Sequence, residues 1–273
     1  MDIRTILVLQ GAKGTPQELS PLVTAAEAIG GRLKILQVGE MPRVPAYAIE
    51  GYSMPMVWEE SNKEKSDQLR KQEAATAAYL ALECVQAETG VIYDSTYDLG
   101  HRIVPHTFLA DLAVITNDLR QSEEAFDNLS YSVIFESPIP LILNPTENAL
   151  SPKRVLIAWN DSLPAARAVH AALPMLKAAQ EVTLAVIDPV KDHDDASISI
   201  AAWLSHHGCK VNVEQIPSAG RPIVDVLLRC AREDGDDLIV LGAYGHTRMR
   251  QRLFGGTTRS IIEQTTQAVF LAH

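Results

Sequence analysis

Short apolar runs alternate with stretches of helical period along this chain, and the whole alternation occurs twice. In the C-terminal half the strand-length runs are RVLIAW (154–159), EVTLAVID (181–188), CKVNVEQIP (209–217), DLIVLGA (237–243) and AVFLA (268–272). Between them, residues 165–179, 196–208, 222–234 and 257–265 space their apolar side chains as helices do, for example Ile223, Val226, Leu227 and Cys230. Pro174 is expected to kink or end the first of these helices. The N-terminal half repeats the order, with strands at 5–10, 32–40, 91–97, 111–118 and 140–145 and helices at 21–30 and 61–90.

Strands that alternate with helices pair in parallel and are covered by helices on both faces. A repeat of about 130 residues marks two copies of one fold. The expected architecture is therefore α/β, in two tandem domains at 1–146 and 153–273, joined by the proline-containing polar segment NPTENALSPK (144–153). The first copy also carries an insertion, MPRVPAYAIEGYSMPMVWEE (41–60), expected to be a packed surface loop rather than a lid or docking surface.

Composition narrows the function classes. The net charge of −10 disfavours broad binding to nucleic acid. It is unevenly shared: residues 1–146 carry 11 Lys/Arg against 20 Asp/Glu, residues 147–273 carry 13 against 14. Arg248, Arg250, Arg252 and Arg259 gather within one short C-terminal segment. Without a membrane-length apolar run or a basic leader with a cleavage site, the expected compartment is the cytoplasm and no membrane partner is expected. Cys84, Cys209 and Cys230 have no metal-like spacing and are expected to be reduced, small buried hydrophobes.

The chemistry is concentrated in LGAYGHTRMRQRLFGGTTRSII (241–262). This segment leaves an apolar strand through Gly242 and Gly245 and reaches Gly255, Gly256, Thr257 and Thr258 where a helix begins. Glycines let main-chain N–H groups approach an anion, and a helix N-terminus supplies unpaired donors and partial positive charge. The threonines can cap the helix or bond a phosphate oxygen. On spacing alone, turn glycines at a helix boundary explain the pattern as well.

The order of elements, with the run Gly242-x2-Gly245-x9-Gly255, resembles the universal stress protein family. The resemblance implies two domains, each a five-stranded parallel sheet sandwiched by helices, of the adenine nucleotide alpha hydrolase-like type. It also implies ATP or another adenine nucleotide, with or without Mg, as ligand. It places Gly242, Gly245 and Gly255 in the phosphate loop, Thr258 one turn into the helix, Asn160 with Asp161 at the end of the first strand, and Val186 where main-chain groups read adenine. Two positions depart from the pattern. Gly256 stands where Ser or Thr is usual, with Thr257 one place later, and Asn160 replaces a carboxylate.

The first copy lacks the motif. Residues 111–132 contain no glycine, and Glu123, Glu124 and Asp127 would repel a phosphate. No nucleotide is expected there. His206-His207 and the DHDD segment at 192–195 are expected to be helix surface and solvated loop rather than metal ligands. Ser162 is expected to be a helix N-cap, and with no general base in evidence, any ATP hydrolysis is expected to be slow and incidental. The leading expectation is a stress-response protein that senses an adenine nucleotide and signals to an unidentified protein partner, with a homodimer left open. The alternative is a nucleotide-free scaffold in which residues 140–145 and 268–272 pair within one chain, making an internal pseudo-dimer.

Overall fold

The computed structural model describes residues 3–41, 56–189, 194–243, 256–264 and 267–273. Over these the chain forms ten strands and eight α-helices. It divides into two units, Arg4–Ile139 and Pro140–His273, with the extreme N-terminus counted in the second.

In the first unit, β1 (Thr5–Gly11), β2 (Arg32–Glu40), β3 (Ala87–Asp94) and β4 (Leu112–Ile115) form a parallel sheet in the order β3-β2-β1-β4. Every residue of β1 and β4 is buried, as expected for parallel strands covered on both faces. The helices are α1 (Ser20–Ile29), α2 (Met56–Leu82), α3 (Leu99–Thr107) and α4 (Glu123–Glu136). Polar α2 is held by a narrow stripe in which Leu69, Thr76 and Leu80 are buried.

Three details of the first unit correct the sequence reading. The long helix stops at Leu82 rather than reaching Gly90, and Ala87–Gly90 belong to β3, paired with Leu33–Leu36 of β2. The turn between them passes through Cys84 at φ 56, which leaves this cysteine exposed rather than buried. Helices α3 and α4, which the sequence reading did not assign, bury Leu99 and Ile103 of one and Phe126, Leu129 and Val133 of the other, and their contact is partly polar. Gly100 donates its N–H to Asn128 Oδ1 at 2.8 Å and lies against Ser132, and both Ser130 and Ser132 are buried.

In the second unit, β6 (Arg154–Trp159), β7 (Glu181–Ile187), β8 (Val211–Ile216), β9 (Leu238–Gly242) and β10 (Val269–Ala272) are parallel in the order β10-β9-β6-β7-β8. They alternate with α5 (Leu163–Ala178), α6 (Asp194–His206), α7 (Ile223–Asp234) and α8 (Thr257–Gln264). Pro174 lies inside α5, which continues to Ala178. The buried stripe of Ala168, Val169, Ala172, Met175 and Leu176 holds both sides of the proline against the sheet, which offsets the lost main-chain bond.

The last strand of the first repeat, β5 (Leu141–Leu143), lies in this second unit. It runs antiparallel to β10, with Leu143 opposite Val269 and Leu141 opposite Leu271. Its three residues are fully buried, and Asn144 fixes its end by donating Nδ2 to the Gln267 carbonyl at 2.9 Å. Among the described residues no helix is long and apolar enough to cross a membrane.

Candidate functional site

In the second unit the chain runs outward from β6 through β7 to β8, then returns to add β9 and β10 on the other side of β6. The strand order therefore reverses between β6 and β9. In open parallel sheets such a switch point leaves a crevice at the carboxyl ends of the strands. Here that edge brings together the ends of three neighbouring strands. Trp159 pairs in register with Val186 of β7, and Ala158 pairs with Leu241, which puts Trp159 beside Gly242. Asn160 follows at once and is exposed, while Val186 is half-buried.

Sequence chemistry fixes each of these positions. After β6 the chain turns through Asp161 at φ 56, a left-handed conformation that Asp tolerates better than most residues. Ser162 then caps α5, its Oγ accepting from the Ala165 N–H at 3.3 Å, with Pro164 in the first turn. The Ser162 hydroxyl donates to Asn160 Oδ1 at 2.7 Å, which orients the Asn160 amide. After β7 the turn again passes through a left-handed aspartate, Asp188 at φ 49. Its carboxylate accepts from the Ser218 N–H at 2.8 Å, and bonding from Ser218 holds the carboxyl below its ordinary range.

Gly242 has a role that the motif alone does not reveal. A Cβ at this position would lie 2.7 Å from Ala165 Cα, and closer still to Ala165 N and the Pro164 carbonyl carbon. The missing side chain therefore faces the first turn of α5. Its absence lets the start of that helix come up against the carboxyl end of β9.

Gly256 (φ 129), Thr257 and Thr258 are found where α8 begins, with Thr258 buried and Thr257 half-buried. Arg259 pairs with Glu263 one turn further on. Gly245, Gly255, Arg248, Arg250 and Arg252 lie outside the described residues, as do most of the 41–60 insertion and the first half of DHDD. Among the described residues no group of three or more His, Cys, Asp and Glu is arranged to hold a metal ion. His207 packs against the ring of Trp203 at 4.3 Å, and His206 Nδ1 lies 2.8 Å from the Ala202 carbonyl oxygen.

One polar group at this edge was not legible in the sequence. Trp159 is 8% exposed, and its Nε1–H is buried without an acceptor. Unpaired buried donors are uncommon and call for a reason. Only the combination of burial and neighbours exposes this one.

The matching edge of the first unit is occupied by its own side chains. Gln72 of α2 donates Nε2 to the carbonyls of Gly11 and Gly14 at 2.9 and 2.6 Å. Gln10 donates to the Thr15 carbonyl and accepts from Gln37, which also donates to Thr76 Oγ1. The Glu40 carboxylate takes hydroxyl bonds from Thr96 and from Ser122, the residue that precedes α4. A carboxylate thus stands where the N-terminus of α4 would favour an anion.

No family model matches the chain, and no curated protein matches it. Solved structures do match over nearly its whole length. A universal stress protein from Archaeoglobus fulgidus superposes with a TM-score of 0.69 at 15% identity, covering 98% of this chain and 95% of that one. A putative universal stress protein from Pseudomonas aeruginosa gives a TM-score of 0.58 at 14% identity, with coverage of 99% and 93%. A functionally unknown Pseudomonas aeruginosa protein gives 0.55 at 14% identity, with coverage of 99% and 92%. At these identities the likeness is one of fold.

Proposed function

We propose that this chain, which has the universal stress protein fold in both units, works as a member of that family. In this reading it binds an adenine nucleotide, ATP or a close relative, at the carboxyl edge of β6, β7 and β9. The observation that carries the reading is the convergence of Trp159, Asn160, Val186 and Gly242 at the strand-order switch point. The buried Trp159 N–H supports it, because a ligand acceptor would relieve an unpaired donor. The start of α5, brought close by Gly242, adds partial positive charge. Gly245, Gly255, Gly256, Thr257 and Thr258 complete the phosphate side. Asn160 supplies an amide oxygen and hydrogens where a carboxylate is usual, and Gly256 supplies no hydroxyl, so binding is weaker than with the full motif.

In this reading the role is sensing rather than turnover. Nucleotide binding selects one of two arrangements of the domain, and a protein partner reads the difference. Mg would arrive on the phosphates, as it commonly does. The compartment proposed is the cytoplasm.

Equilibrium dialysis with labelled Mg-ATP tests this site. Gly245→Val should abolish binding. Trp159→Phe, which keeps the ring and removes the N–H, should weaken it about five- to tenfold, the worth of one hydrogen bond. Equal binding by the wild type and both variants would falsify the assignment. A second reading, the nucleotide-free scaffold, is favoured by the pairing of β5 with β10. It requires that the wild type retain no nucleotide at millimolar concentration and that none co-purify.

A further inference from the structure

The outer edge of β8 points to a self-association surface. Among the described residues β8 is the last strand of its sheet, paired with β7 and with no strand on its other side. Lys210, Asn212, Val213 and Glu214 are exposed, Val213 by 41%. An edge of this kind presents unpaired main-chain groups to another chain.

The pairing with β7 fixes which main-chain groups face outward. The carbonyls of Lys210 and Ile216 accept from Val182 and Asp188. The even-numbered residues therefore turn their main-chain groups toward β7, and Val211 and Val213 turn theirs outward.

We infer that β8 pairs antiparallel with β8 of a second copy of this chain, about a two-fold axis through Asn212. Charge complementarity selects this register. Lys210 of each copy then stands opposite Glu214 of the other, on one face of the joined sheet, with the two Asn212 side chains between. On the other face Val211 of each copy meets Val213 of the other. The outward main-chain groups of Val211 and Val213 form about four hydrogen bonds across the axis, and the Asn212 pair occupies a non-hydrogen-bonded position where side chains approach most closely. Because the contact is two-fold it closes as a dimer and does not propagate.

The edge strand of the first unit supplies the contrast. Within β3 the charged residues are Glu88 and Asp94, so no register of β3 against its own copy brings opposite charges together. There the charges guard the edge, whereas on β8 their signs and spacing match a second copy.

Sedimentation equilibrium of the full chain, from micromolar to about millimolar, tests the inference. The wild type should dimerise. Lys210→Glu or Glu214→Lys turns two attractive pairs into two repulsive ones and should weaken the dimer by tenfold or more. The double exchange Lys210→Glu with Glu214→Lys should restore it, which a folding defect would not. In a Cys84→Ser background, Asn212→Cys should form an intermolecular disulfide under mild oxidation, and Gln121→Cys on the first unit should not. A wild type that stays monomeric, or a dimer unchanged by either single reversal, overturns the inference.

Discussion

Gly242→Ala adds one methyl group at the point where the carboxyl end of β9 meets the start of α5. The methyl carbon would sit 2.7 Å from Ala165 Cα and nearer still to two other main-chain atoms of Pro164 and Ala165. These atoms cannot rotate away, because Ser162 caps this turn and the buried stripe of α5 holds the helix to the sheet. Relief requires the helix start or the strand end to move. The expected cost lies at the top of the overpacking range, about 3 kcal/mol. With a urea m-value of about 2 kcal/mol/M, the midpoint should fall by about 1.5 M. The assay is urea unfolding followed by tryptophan emission in a Trp58→Phe background, where Trp159 and Trp203 both report on the second unit. Gly90→Ala is the matched control: its methyl would meet only the tip of Leu36, at 3.3 Å, and should move the far-ultraviolet CD midpoint little. A Gly242→Ala midpoint within about 0.3 M of the parent would refute the idea that close packing, rather than ligand contact alone, requires glycine here.

Asp236, 6% exposed and with Oδ2 lacking a partner, has its carboxyl pushed up to about 7, first by burial and then by the Asp234 charge. Its folded form holds a proton that the unfolded chain has released, so stability should decline as pH rises from about 4 to about 7. Asp236→Asn should flatten that slope and stabilise the second unit at pH 8 by on the order of 1–3 kcal/mol, read from denaturant midpoints at pH 5 and 8; a parallel shift at both pH values would contradict it. Gln72→Ala removes two bonds that hold the Gly11–Gly14 turn and should cost about 1–3 kcal/mol. Hydrogen exchange should then speed up around that turn and stay unchanged in the second unit.

The strands were largely legible because burial on both faces demands dense apolar runs. Thus β2 and β6 span the residues expected of them, Arg32–Glu40 and Arg154–Trp159. The helices of the first unit were less so. Gly100 and Pro105 weaken the helical signal of α3, and in α4 the buried Ser130 and Ser132 interrupt the apolar period of Phe126, Leu129 and Val133. At the candidate site the glycines were visible, but the neighbour that Gly242 faces was not, since Pro164 and Ala165 are distant in sequence. The unpaired Trp159 N–H was likewise invisible, because it reflects what fails to surround the ring rather than the ring itself.

The location of β5 governs how the gene can be cut. A fragment begun at residue 153, where the second repeat starts, would discard the segment that lines one flank of β10 and bare an apolar strand to the solvent. Expression of the C-terminal half should therefore start by Pro140, which retains that flank, and a fragment from 153 should aggregate where the longer one stays in solution.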